Sequence, residues 1–281
     1  MKRKIVQFLF AIANNGYFLF PFTRSIYQGK LKYFCSPGLN CYSCPASVFA
    51  CPIGVIQNFL STLRFSFEMA KYQLGFSVIG FLGIIGSIGG RIVCGWVCPF
   101  GLIQETFYKI PTKKIKLKIK LLPYLKYVVL ILSVIIFPLL LVDKFGYGEA
   151  YFCRYLCPAG TLEAGLTLPF LIPSLQKLIG WIYFYKLTVL FILIVFFIIS
   201  KRPFCRFLCP LGAIYSLFNK FSYLKLNINR EKCIHCMICE EVCPMELSLE
   251  KIPDTTDCIR CFNCVKICPV KAIKITTVTN N

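Results

Sequence analysis

The residues in this chain that could do chemistry are its cysteines, and they fall into patterns. Two runs read Cys233-x-x-Cys236-x-x-Cys239-x-x-x-Cys243-Pro and Cys258-x-x-Cys261-x-x-Cys264-x-x-x-Cys268-Pro. Runs of this spacing hold two [4Fe–4S] clusters, with the fourth cysteine of each run ligating the other cluster. The spacing therefore assigns Cys233, Cys236, Cys239 and Cys268 to one cluster, and Cys258, Cys261, Cys264 and Cys243 to a second. Zinc sites come instead as two separated pairs. A disulfide scaffold belongs to small, secreted, loop-rich chains. His235 sits between two of these ligands and reads as a surface residue beside a cluster, not as a ligand.

A second pattern occurs four times: Cys51-Pro-Ile-Gly54, Cys98-Pro-Phe-Gly101, Cys157-Pro-Ala-Gly160 and Cys209-Pro-Leu-Gly212. A further cysteine lies four residues upstream in the last three copies, at Cys94, Cys153 and Cys205. In the first copy the upstream cysteine is Cys44. Cysteines four apart share one face of a helical path, so each pair can offer two thiolates to one centre. Proline after the second cysteine suits the first turn of a new helix. Six residues beyond the cysteine the copies carry Gln57, Gln104, Glu163 and Tyr215. An internal repeat of this kind governs the whole reading.

The elements that position these cysteines are apolar. The chain is 281 residues long, 57% hydrophobic and 16% charged, which is the composition of a helical membrane protein. Its net charge of +20 does not point to nucleic acid. Residues 1–226 carry 25 basic and 5 acidic residues, whereas residues 227–281 carry 7 of each. The excess lies in loops beside apolar segments, as lipid-facing loops require. The division expected is a four-span membrane domain over residues 1–226 and a small α+β cluster domain over residues 227–281.

Spans are expected over residues 1–22, 73–93, 121–142 and 179–200, with interfacial helices after the Cys-Pro-x-Gly motifs, the first over residues 52–67. Ala11-Ile12-Ala13 also resembles a signal-peptidase site, but the apolar run continues to Phe22, so an uncleaved span is the reading taken. Gly80, Gly83, Gly86, Gly89 and Gly90 suggest close helix packing along the second span. Lys109, Lys113, Lys114, Lys116, Lys118 and Lys120 mark one side as cytoplasmic, and Lys201, Arg202 and Arg206 mark the same side. The loop with Asp143, Lys144, Glu149, Arg154, Glu163 and Lys177 is charge-balanced and reads as external.

This topology sorts the membrane cysteines. Cys94, Cys98, Cys205 and Cys209 fall on the inner side; Cys35, Cys41, Cys44, Cys51, Cys153 and Cys157 fall on the outer side. One or two further [4Fe–4S] clusters are expected there, related by a pseudo-twofold axis. Cys35, Cys41, Cys44 and Cys51 could hold a cluster alone. Alternatively Cys44 and Cys51 join Cys153 and Cys157, leaving Cys35 and Cys41 for a disulfide. Arg91 and Arg202 each precede an inner pair by three residues, and a buried arginine there would donate to cluster sulfur and raise its potential.

The last 55 residues resemble a bacterial ferredoxin. The whole chain resembles the NapH-type polyferredoxin-like membrane proteins, on the strength of Cys94-Gly-Trp-Val-Cys98-Pro, Cys205-Arg-Phe-Leu-Cys209-Pro and the terminal ferredoxin run. Related proteins serve nitrous-oxide reduction and cytochrome oxidase assembly. The resemblance implies a multi-pass protein of the cytoplasmic membrane, with its ferredoxin domain in the cytoplasm. It also implies electron transfer associated with quinol oxidation. Quinone, membrane lipid, a cytoplasmic donor and an extracytoplasmic acceptor are the expected partners, and nucleic acid is not. The outer cysteines depart from that pattern and favour transfer across the whole membrane. Their other uses would be binding copper during assembly of a membrane oxidase, or exchange with an external thiol–disulfide protein. One difficulty stands: a hydrocarbon core of about 30 Å is too wide for a single electron hop.

Overall fold

The computed structural model describes residues 2–62, 73–115, 121–142, 144, 147–248 and 255–277. Lys116, Lys118, Lys120, Asp143 and the expected end of the first interfacial helix lie outside the described residues. The chain is mostly helical, with one two-stranded sheet.

Helix α1 (Lys2–Asn14) is turned inside out. Arg3, Gln7 and Asn14 are buried, while Ile5, Phe8, Leu9 and Ile12 are exposed. Its 13 residues rise about 20 Å, less than a hydrocarbon core of about 30 Å. The chain then leaves the helix and turns again at Phe20–Thr23, so residues 1–22 do not form one continuous span. Helix α2 (Pro52–Ser61) is buried against its neighbours at Ile53 and Gln57. Helix α3 (Gln73–Gly89) ends where Gly90 takes a φ of +53°. A side chain at Gly90 would collide with Asn219, whose Oδ1 accepts the Arg91 amide at 2.9 Å. Glycine thus stops the helix and turns Arg91 inward.

Helix α4 (Pro99–Phe107) follows the second Cys-Pro-x-Gly motif. Among the described residues, α5 (Leu122–Leu140) and α6 (Trp181–Ile199) are long and apolar enough to cross a membrane, whereas the apolar part of α3, Phe76–Gly89, is shorter. Within α5 a π-helical stretch, Leu130–Ile136, precedes Pro138. Proline lacks an N–H and crowds the carbonyl four residues back, and the wider turn relieves that crowding. Helix α7 (Pro210–Phe218) packs on α3 and α5, as does α2, while α4 lies against α1 and α6. The shared core includes Val78, Leu82, Val134, Phe197, Phe204 and Leu211. Phe100 meets Phe197 and Phe204 edge-on at 5.8 and 5.2 Å. Of the expected glycine stripe, Gly86 packs against Phe218 and Gly90 against Asn219, whereas Gly80 and Gly83 face open space.

Strand β1 (Leu224–Ile228) pairs antiparallel with β2 (Ile273–Thr277). Leu226 and Ile273 bury against Cys239 and Cys264. Between the strands lie two short helical turns, Ile238–Glu241 and Asn263–Ile267, each entered by way of a cysteine loop.

Candidate metal centres

The Cys-Pro-x-Gly motif has the same local structure in all four copies. The cysteine is extended, with ψ of 125° at Cys51, 117° at Cys98, 109° at Cys157 and 112° at Cys209, and proline opens the helix behind it. The first amides of a helix lack intrahelical partners. Here the glycine amide turns back to the cysteine sulfur: Gly160 N to Cys157 Sγ and Gly212 N to Cys209 Sγ, each at 3.4 Å. The Gly54 and Gly101 amides face Cys51 and Cys98 in the same way and favour their thiolates. A helix start that offers an N–H to sulfur favours the thiolate, the ligating form.

The copies pair, second with fourth and first with third. Cys94, Cys98, Cys205 and Cys209 are all buried and close enough to interact with one another. On the other side Cys41, Cys51, Cys153 and Cys157 line one cavity of about 470 Å³. The site of Gly160 lies 3.7 Å from Cys41 Sγ and 3.8 Å from Cys157 Sγ. The structure thus brings Cys41, and not Cys44, to the outer set. Cys44 is buried elsewhere with its thiol 3.7 Å from Asn15 Oδ1. Cys35 forms a parallel β-bridge with Ala50, one residue before Cys51. All eighteen cysteines are free, so Cys35 and Cys41 form no disulfide.

In three copies the residue six places after the cysteine reaches across to the partner copy, and in the fourth it reaches the loop before the first copy. Gln104 Nε2 donates to Cys205 Sγ at 3.0 Å. Gln57 Oε1 accepts from the Cys153 amide at 3.3 Å, and Glu163 Oε2 from the Cys41 amide at 2.7 Å. Tyr215 donates to the Pro37 carbonyl at 3.0 Å. Burial pushes the Glu163 carboxyl up to about 7 against the Cys41 amide, which favours its charged form.

The two arginines are fully buried and cross over. Arg91 Nη2 donates to the Cys205 carbonyl at 2.8 Å, and Arg202 Nη1 to the Cys94 carbonyl at 2.7 Å. Their hydrogen bonds go to carbonyls and carboxylates, and Arg91 Nε is buried with no hydrogen-bond partner among the described residues. Each guanidinium fills the space left by the glycine of the other motif. A Cβ at Gly101 would lie 3.1 Å from Arg202 Nη1, and one at Gly212 would lie 2.8 Å from Arg91 Nη2. Arg202 is neutralised by Glu105 at 2.8 Å, which also binds Arg3 at 2.6 Å.

In the C-terminal unit Cys233, Cys236, Cys239 and Cys268 line one pocket, and Cys243, Cys258, Cys261 and Cys264 line another. The two loops are built alike. His235 and Met237 in one, and Arg260 and Phe262 in the other, hold left-handed φ of 47–58°. This curls the chain so that amides face inward; Arg260 N donates to Cys258 Sγ at 3.4 Å and Ala272 N to Cys268 Sγ at 3.3 Å.

The second pocket is docked on the inner set. Asp257 accepts from Arg91 Nη1 at 3.1 Å and also pairs with Lys126 Nζ; both cations are fully buried. Asn219 Nδ2 donates to the carbonyls of Thr256 and Cys258 at 2.9 and 2.8 Å, and Arg260 Nη2 returns a bond to the Asn219 carbonyl at 3.0 Å. Trp96 Nε1 donates to the Arg260 carbonyl at 3.0 Å. Arg206 pairs with Glu246 at 2.5 Å. Sequence reasoning missed this interface, although Lys126, a single charge inside an apolar span, called for a partner.

These sets suit iron–sulfur clusters. Among the described residues no three Cys, His, Asp or Glu side chains close on a single ion. Four sulfurs around a cube of iron and sulfide stand further apart, each on its own iron. Burial and the neighbouring Cys51 push the Cys157 thiol up to about 12, and burial with Cys205 and Cys94 does the same for Cys98. Such thiols ionise by exchanging the proton for a metal.

Comparison with known proteins agrees with this chemistry. A family described as a 4Fe-4S binding domain matches residues 73–118, 127–171 and 184–229, and a second of the same description matches residues 225–247. One uncharacterized protein of Methanocaldococcus jannaschii is 34% identical over 180 residues, covering 60% of this chain and 58% of its own length. Another from that organism is 30% identical over 209 residues, covering 71% and 74%. The ferredoxin-type protein NapH of Haemophilus influenzae is 27% identical over 59% of this chain and 51% of its own, so this chain spans about half of that relative. No solved structure matches significantly. The three tandem matches fall on the helical part that bears the Cys-Pro-x-Gly repeats, and the chain belongs to the family of ferredoxin-type proteins built on 4Fe-4S binding domains, NapH among them.

Proposed function

We propose that the chain is an electron-transfer protein of the cytoplasmic membrane. It would pass electrons between a cytoplasmic ferredoxin domain and a quinone or an extracytoplasmic acceptor. The observation that carries this reading is the order of the four cysteine sets. Cys233, Cys236, Cys239 and Cys268 come first, followed by Cys243, Cys258, Cys261 and Cys264. The inner set (Cys94, Cys98, Cys205, Cys209) lies against this second pocket, and the outer set (Cys41, Cys51, Cys153, Cys157) opens to a cavity. Each set would hold one [4Fe–4S] cluster, which supplies one-electron oxidation and reduction. The protein supplies burial and N–H donors to sulfur, both of which tune such a potential.

The membrane placement is supported by α5 and α6 and by the apolar outer faces, such as Phe76, Ile79, Phe191 and Trp181. Lys109, Lys113, Lys114 and Lys201 lie on the ferredoxin side, which fits a cytoplasmic location for that domain. The cavity at the outer set is where an acceptor would approach. Its wall includes Asn58, Tyr183 and Lys186 beside apolar Leu168, Leu175 and Ile179.

The test is transfer across a sealed vesicle. Full-length protein, purified without oxygen and inserted into vesicles, is given dithionite outside and ferricyanide inside. Protein-dependent bleaching of ferricyanide is expected. Intact vesicles with iron-loaded protein and no bleaching would contradict the reading.

A further inference from the structure

We propose that residues 37–41 form the conductor between the inner and outer cysteine sets. The inference rests on the electron-transfer reading above and names the part of the chain that closes the gap. This loop was expected to lie outside the membrane. Instead it passes between the two sets. The site of Gly38 is pressed on Cys98: a Cβ there would lie 2.9 Å from Cys98 Cα and 3.3 Å from Pro99 Cδ. The next amide in the chain, that of Leu39, faces Cys98 of the inner set. Ser36 N–H donates to the Ala50 carbonyl at 2.8 Å, one residue before Cys51, and the Asn40 amide faces Cys51 of the outer set. Cys41 then belongs to the outer set itself.

Two adjacent peptide groups thus lie between a cysteine of one set and a cysteine of the other. Leu39 and Asn40 are both 1% exposed. The loop is pinned from both ends. Tyr215 holds the Pro37 carbonyl at 3.0 Å, and Glu163 holds the Cys41 amide at 2.7 Å. Both pins come from the position six residues after a motif cysteine. This fits the tyrosine of the fourth copy: the longer side chain reaches the loop, where the amide of Gln104 bonds the opposing Cys205 and its own helix at Phe100. The loop bears on the difficulty of one hop across about 30 Å because it sets Cys41 of the outer set three residues from the glycine packed on Cys98.

The step itself is simple. Cys94, Cys98, Cys205 and Cys209 would hold the one-electron donor, oxidised by one, and Cys41, Cys51, Cys153 and Cys157 would hold the acceptor, reduced by one. No bond breaks and no proton is required by the loop. The reductant is the docked ferredoxin domain, and the oxidant is the acceptor at the outer cavity.

The test uses full-length Gly38→Ala and Gly38→Leu proteins in the vesicle assay. Iron content and the electron paramagnetic resonance spectrum of the reduced protein are measured beside it. The added carbon must push the loop off Cys98. Iron is expected to stay at the wild-type level. Magnetic broadening between the two membrane clusters should weaken. The transfer rate should fall by roughly tenfold, within the hundredfold that a misplacement of about 1 Å can cost a positioned reaction. Where either variant loses iron, Tyr215→Phe, which adds no bulk, takes its place with the same readouts. Full iron with unchanged broadening and rate would overturn the conductor. Wild-type protein that carries no electrons across the vesicle would instead overturn the function beneath it.

Discussion

Asp257 is the most exposed point of the account to attack by mutation. It precedes Cys258 and faces Arg91 at 3.1 Å and Lys126, two cations with no solvent exposure, while its own side chain is 20% exposed. Asp257→Ala leaves both cations buried without a counter-charge. Removing one partner of a buried pair costs about 3–5 kcal/mol. Arg91 keeps the Cys205 carbonyl, and water can reach the vacated site, so the lower end, about 3 kcal/mol, is the expectation. At about 1.4 kcal/mol per tenfold, the undocked population of the ferredoxin domain rises by roughly a hundredfold. Native-state hydrogen exchange, read by mass spectrometry over residues 255–262, reports that opening directly. Protection there should drop about a hundredfold in Asp257→Ala and less in Asp257→Asn, which keeps an acceptor oxygen. Adding Lys126→Met to Asp257→Ala should recover part of the loss, because a cation removed needs no partner. Wild-type exchange in Asp257→Ala would refute the claim that these ion pairs hold the domain in place.

Three further outcomes follow from the site geometry. Cys41→Ser, Cys51→Ser or Cys153→Ser should each remove about four irons per chain, whereas Cys35→Ser and Cys44→Ser should remove none; iron loss in Cys44→Ser would return that residue to the ligand set. Gln104→Leu deletes the donor to Cys205 Sγ and should lower the midpoint potential of the inner cluster in a potentiometric titration, with an unchanged potential counting against the hydrogen bond. Gly212→Ala forces a carbon to within 2.8 Å of Arg91 Nη2 and should destabilise by about 1–3 kcal/mol, while Gly54→Ala, with its nearest neighbour at 3.8 Å, should be close to neutral in thermal unfolding.

Much of this arrangement can be read from the sequence because it is local. The prolines after the cysteines do start helices at Pro52, Pro99 and Pro210, since proline fixes φ and needs no hydrogen bond in the first turn. The third and fourth apolar segments form helices within two residues of their expected ends at each terminus. What the spacing could not give depends on contacts between distant segments. The choice of Cys41 over Cys44 is made by Glu163, 122 residues away, which holds the Cys41 amide. The crossing of the arginines is of the same kind: each reaches the carbonyl of the opposite cysteine through the gap left by the opposite glycine. The inward course of residues 37–41 also escaped sequence reading. A loop rich in glycine, proline and cysteine looks external by composition, and only Tyr215 and Cys98, far along the chain, draw it in.

The most direct test of the central claim is a count of iron and acid-labile sulfide on full-length protein purified without oxygen. It is made for the wild type and for a Cys94→Ser, Cys205→Ser double variant. The account predicts about sixteen irons per wild-type chain and about twelve in the variant, four sets becoming three. About eight irons in both would contradict it, for the ferredoxin domain would then hold every cluster and the helical part none.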